Sequence, residues 1–139
     1  MKRTALRAFA LLGISLAVGV ASLGAQGRMR VDIPFDFTVA KSVLPAGTYE
    51  VRPALQGGDA ILIRSENGKS GVMFLTTGVY AEREETPKLV FHKYGSRYFL
   101  NQLWDGSSIG HQLSTSRAEA ELALQETGKR QVVLAAQNR

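Results

Sequence analysis

Apolar residues recur at every second position through much of this chain. Val31, Ile33, Phe35, Phe37 and Val39 alternate with Asp32, Pro34, Asp36 and Thr38. A period of two places alternate side chains on opposite faces, so the segment reads as one half-buried strand. Pro34 has no N–H to offer a ladder, which points to an edge position or a bulge there. Leu44-Pro45-Ala46-Gly47 then supplies a turn. Thr48-Tyr49-Glu50-Val51-Arg52 resumes the alternation, and Pro53 with Gly57-Gly58 closes that unit.

Two hairpins follow. Residues 60–65 and 70–76 flank Glu66-Asn67-Gly68-Lys69, and Asn-Gly at the centre predicts a two-residue type I′ turn. That register sets Ile63 opposite Val72, Ile61 opposite Phe74 and Glu66 opposite Lys69. Residues 88–94 and 97–104 flank Gly95-Ser96, a type II′ signature, with Phe91 opposite Leu100 and His92 opposite Phe99. Both faces of this second hairpin are largely apolar or aromatic, so it requires cover on both sides and a central place in its sheet. Between the hairpins, residues 82–87 read as a solvated, charged connection.

Ser116-Arg117-Ala118-Glu119 matches a capping box, and residues 118–125 are nearly all good helix formers before Gly128. Residues 131–136 form a last strand. The chain is therefore mainly β, a small antiparallel β-sandwich or partly closed β-barrel. It has about seven strands and one short helix in its C-terminal half.

The first 25 residues carry another pattern. Lys2, Arg3 and Arg7 precede an uncharged run from Ala8, and small residues gather at Ala21-Ser22-Leu23-Gly24-Ala25. That order is the anatomy of a secretory signal, cleaved after Ala25. An uncleaved anchor is the competing reading, but Gly13, Gly19 and Gly24 interrupt the run and no basic cluster follows it at once. The expected organisation is a signal over 1–25 and a single β-rich domain over 26–139, periplasmic or extracellular, with no stable membrane anchor after cleavage. The chain has no cysteine, which excludes a lipid-modified cysteine and a disulfide framework.

Charge changes the picture little. The whole chain carries +5, but three of its 17 basic residues lie in the leader, leaving about +2 for the domain. The remaining Lys and Arg are scattered among carboxylates, so no nucleic-acid footprint is expected.

One catalytic-looking pattern occurs. Gly106-Ser107-Ser108-Ile109-Gly110 fits G-x-S-x-G, and His111 follows directly. A nucleophile elbow needs a helix opening from the turn and an acid between Ser and His, and neither is present. The domain is therefore expected not to be an enzyme, with a serine hydrolase using Ser108 as the remote alternative. His92 reads as a cross-strand packing residue and not a metal ligand. Asp32 and Asp36 stand about 13 Å apart along a strand, too far to share an ion. Glu82, Glu84 and Glu85 read as a solvated charge run. No cofactor or metal is expected.

The run from Ile33 to Val39, followed by Leu44-Pro45-Ala46-Gly47-Thr48-Tyr49, resembles the opening of uncharacterised exported proteins of acidobacteria. The hairpin around Tyr94-Gly95 and the Ser116–Leu124 helix extend that resemblance over nearly the whole domain. Turn and core residues carry it, so it implies a fold and no activity.

Two function classes remain beside the enzyme. One is a binding or interaction module, in which Tyr94, Tyr98 and Trp104, with Tyr80 and Phe99, form a face for a carbohydrate or apolar ligand, although core packing is the stronger expectation for all five at strand spacing. The other is an assembly component of the envelope that recruits a partner protein's strand at an exposed sheet edge. Tyr98 and Trp104 exposed together in a concavity would mark the first. A sealed core beside a long bare edge would mark the second.

Overall fold

The computed structural model describes residues 27–83, 86–125 and 128–138. The leader and its cleavage site, and the Glu84 and Glu85 part of the charged connection, lie outside the described residues. The elements run β1 (Met29–Ile33), β2 (Phe37–Val39), β3 (Ser42–Leu44), β4 (Gly47–Pro53), β5 (Ala60–Ser65) and β6 (Gly71–Leu75). They continue with β7 (Thr77–Tyr80), β8 (Lys88–Tyr94), β9 (Arg97–Trp104), β10 (Ile109–Gln112), α1 (Arg117–Gln125), β11 (Arg130–Ala135) and β12 (Gln137–Asn138).

Two sheets form a β-sandwich. The first has the order β12-β1-β4-β5-β6, and the second β11-β8-β9-β10-β7. Strand β2 joins the second sheet by a parallel pairing of Thr38 with Phe99, and β3 pairs with β2. The interior is shared by both sheets: Val31, Ile33, Tyr49, Val51 and Ile63 from one, and Phe37, Leu89, Phe91, Leu100 and Leu103 from the other. Phe91 receives the edges of two rings, Phe35 at 5.1 Å and Phe37 at 5.6 Å between centroids. Each buried aliphatic or phenyl side chain of this kind contributes about 1.5–3 kcal/mol, which lets a cysteine-free domain hold together by its core.

The single strand expected over 31–39 is two strands in different sheets. The alternation continues through Pro34, but the ladder does not: β1 lies in the first sheet and β2 in the second. Pro34 has no N–H to continue the pairing, and the Asp36 carboxylate instead accepts the Ala46 N–H at 2.9 Å. Other crossings are shorter still. Thr76 alone separates β6 from β7, and Ala136 alone separates β11 from β12.

Both expected hairpin registers are present. Ile63 faces Val72 and Ile61 faces Phe74, while Phe91 faces Leu100 and His92 faces Phe99. Strands β8 and β9 are central, as their two apolar faces require. The first turn differs from expectation. Gly68 has φ +74°, but Asn67 is not in the positive-φ region, so the turn is not type I′. Ser65 N–H reaches Ser70 O at 2.7 Å and Gly68 N–H reaches Ser65 O at 2.9 Å, making a four-residue loop. Asn67 Oδ1 stabilises it by accepting from Ser65 Oγ and Lys69 N–H. Glu66 pairs with Arg30 across the sheet, in place of the expected Lys69. The second turn keeps Gly95 at φ +58°, the sign type II′ needs at its first central residue.

Candidate functional site

The catalytic-looking segment is built as a turn and a strand. Asp105 Oδ1 accepts from both the Ser107 N–H and Ser107 Oγ, closing the turn before β10. Ser108 gives its carbonyl to the Ala81 N–H. His111 Nδ1 lies 3.1 Å from Thr76 Oγ1. Gly110 meets Trp104: a Cβ added there would lie 2.7–2.8 Å from the indole, so this glycine makes room for a ring.

The three aromatics expected to bind a ligand are placed apart and in packing roles. Tyr94 is 3 % exposed and Trp104 7 %, at opposite ends of the β8–β9 hairpin. Trp104 donates Nε1–H to Gln102 Oε1 at 3.2 Å, and the Lys88 ammonium sits 5.8 Å from its ring. Tyr98 packs against the core and stacks on Phe35 at 3.7 Å between centroids. Phe99 is buried, and Tyr80 alone of the five is largely open, at 81 %. The surface therefore carries no shared aromatic face from these residues. Strand-spaced aromatics in a small domain are drawn into packing first.

A polar cluster lies under α1 instead. Glu119 is 5 % exposed and is the buried residue of the helix. Its Oε1 accepts from Tyr94 Oη at 3.0 Å and lies 2.8 Å from His92 Nδ1. On the far side of the ring, His92 Nε2 lies 3.1 Å from Asn101 Nδ2. An imidazole with its proton on Nδ1 satisfies both contacts, donating to the carboxylate and accepting from the amide.

A β-bulge aims the last member of this chain. Val90 pairs with Gln102 and Phe91 with Leu100, which leaves Asn101 as the extra residue on β9. Its carbonyl takes the Leu113 N–H, and its Oδ1 is buried without a partner. A chain ending on an amide orients the ring and supplies no nucleophile.

Of the capping box that Ser116-Arg117-Ala118-Glu119 predicts, only one half forms. Ser116 Oγ does accept the Glu119 N–H at 3.2 Å. The Glu119 carboxylate turns away from the helix terminus and into the sheet. The signal that could have found it is the composition of α1, where Ala118, Ala120, Glu121, Ala123 and Leu124 are all exposed. A helix without an apolar face needs another anchor.

Burial of Tyr94 and its bond to Glu119 push the phenol up to about 12, burial being the larger cause and the carboxylate charge adding to it. The folded state thus holds the proton more tightly than an unfolded chain titrating near 10. Stability from this group is complete below pH 10 and is lost as pH climbs toward 12. Tyr49 is raised in the same direction, by burial and then by the charge of Asp36. Urea midpoints measured at pH 9 and pH 11.5 should fall less for Tyr94→Phe than for the wild type. Equal falls would place the alkaline sensitivity elsewhere.

The remaining feature is an open edge. Strand β6 ends the first sheet. Hydrogen bonds at Ser65–Ser70 and Thr76–Asp59 set the phase of its pairing with β5. By alternation, Val72 and Phe74 bond inward, while the backbone groups of Gly71, Met73 and Leu75 face outward. Met73 is 61 % exposed and Leu75 75 %. The strand has no charged residue and no proline.

Comparison with protein-family models, with curated proteins and with solved structures returns no match. Among the described residues, no group of His, Asp and Glu side chains could hold a metal ion.

Proposed function

We propose that this chain is an exported, non-catalytic interaction module that engages an extended segment of a partner protein along β6. The open edge of β6 carries the reading. Three of its five residues, Gly71, Met73 and Leu75, present outward main-chain groups, Met73 and Leu75 are exposed beside them, and the strand has none of the usual edge defences of charge, proline or bulge. Strand addition uses these groups: main-chain hydrogen bonds supply affinity, and alternate side chains supply selectivity. The leader pattern over residues 2–25 supports an exported location. Burial of Tyr94 and Trp104 favours the edge over an aromatic face.

Met73→Pro tests it cleanly. Position 73 directs its N–H outward, so proline there spares the β5–β6 ladder while deleting one donor from the free edge. Peptides selected from a displayed library on the purified domain should alternate apolar and polar residues. They should bind Met73→Pro about fivefold more weakly, the worth of one main-chain hydrogen bond, with an unchanged melting temperature. Selected peptides that bind this variant as tightly as the wild type would exclude the edge.

A further inference from the structure

The outer face of the first sheet carries a second feature, unconnected to its edge. Arg28, Arg30, Arg52 and Arg64 line a groove of about 340 Å³ there, with Glu50, Glu66, Thr48 and Leu62. These arginines come from separate parts of the chain, and sheet pairing gathers them. Arg30 stands opposite Glu50 on β4, and Glu50 opposite Arg64 on β5, so one row across three strands reads Arg–Glu–Arg. In the next row Arg52 stands opposite Leu62. Neighbouring strands are about 4.8 Å apart and successive rows about 7 Å, which brings the guanidiniums within reach of one small ligand.

Charge in the groove is unbalanced. Four guanidiniums face two carboxylates. Arg30 Nη2 pairs with Glu66 Oε2 at 3.2 Å, and Arg52 Nε lies 3.9 Å from Glu50 Oε1, a long contact. Among the described residues, Arg28 and Arg64 have no carboxylate within ion-pair distance. Like charges held on one sheet face repel one another, and an anion shared between them relieves that repulsion. Guanidinium is the group suited to this task, since its planar fork matches two oxygens of a phosphate at once and stays charged at any physiological pH.

We propose that this groove binds a phosphate-class anion, either free or carried on a lipid headgroup. Arg52 and Arg64 hold the phosphate oxygens from β4 and β5, and Arg28 and Arg30 close on it from the start of the chain's first strand. Glu50, between them, opposes the ligand and sets its affinity.

The test uses two probes, inorganic pyrophosphate by titration calorimetry and vesicles containing phosphatidylglycerol by co-sedimentation, with phosphatidylcholine vesicles as the neutral control. At least one anionic probe should bind, more weakly as salt is raised. The double variant Arg52→Gln, Arg64→Gln should bind at least tenfold more weakly, Glu50→Gln severalfold more tightly, and Lys41→Gln in the β2–β3 turn as the wild type. Binding of pyrophosphate alone assigns a soluble phosphate, and binding of anionic vesicles alone assigns a headgroup. Melting temperatures of the variants confirm that folding is intact. No binding of either probe, or binding that the arginine variants leave unchanged, overturns the proposal. Neither outcome bears on the β6 edge, which uses other residues and is read by Met73→Pro.

Discussion

Glu119→Ala is expected to lower the unfolding free energy by about 3 kcal/mol, because removing the buried carboxylate leaves two buried hydrogen-bonding groups without their partner, each at a cost of about 1–3 kcal/mol. The carboxylate is 5 % exposed and serves two partners from the second sheet, His92 and Tyr94. Without it, the Tyr94 hydroxyl and His92 Nδ1 face each other's empty space under the helix. The helix also loses its attachment, since the other residues of its first two turns are exposed or half-buried. Amides of residues 117–125 should therefore exchange faster while those of β8 and β9 change less. Ser116→Ala is the control: removal of the cap alone should cost about 1 kcal/mol. Urea unfolding of the two variants decides between roles. Equal costs would mean that Glu119 acts only at the helix terminus, and the buried cluster would then be incidental.

Gly110→Ala should cost about 2 kcal/mol although it adds one methyl to a strand, where alanine is ordinarily tolerated. The added carbon would sit 2.7–2.8 Å from three atoms of the Trp104 indole. That ring is 7 % exposed and is tied by Nε1–H to Gln102, so it cannot swing aside as a flexible chain would. Overpacking of this kind forces ring and backbone apart. Trp104 is the only tryptophan, so its emission should shift to the red as the indole is lifted toward solvent. The pair should be strongly coupled: in a Trp104→Ala background, Gly110→Ala should cost little. Additive losses would show that the glycine serves the backbone and not the ring.

Local signals were the legible part of this fold. Turn residues and apolar pairs are neighbours in sequence, so the two hairpin registers and the central place of β8 and β9 could be read directly. The split at Pro34 could not. Both halves keep one alternation, and only the partners of the backbone change. Asn101 was hidden for a similar reason, because one extra residue in a strand leaves no mark in a polar stretch such as Asn101-Gln102. Glu119 was visible but absorbed by a sufficient local explanation, the capping box. The arginines were the least legible, since 28, 30, 52 and 64 meet only after three strands have paired. Tyr94 and Trp104 were legible as important, with core packing and a ligand face both open, and the fold buries both.

The one-residue crossings at Thr76 and Ala136 make the two layers mechanically a single sleeve. They run β6 into β7 and β11 into β12, and each is pinned by a main-chain bond, Thr76 N–H to Asp59 O at 2.8 Å and Ala136 N–H to Pro87 O at 2.9 Å. A guest parting the sheets at either crossing would have to stretch the single residue that joins the layers there. Prising the layers apart and unfolding the domain are thus the same event. An interaction module of the kind proposed would therefore meet its partner on the outer faces and edges of the sheets, not between them as wide-mouthed barrels do.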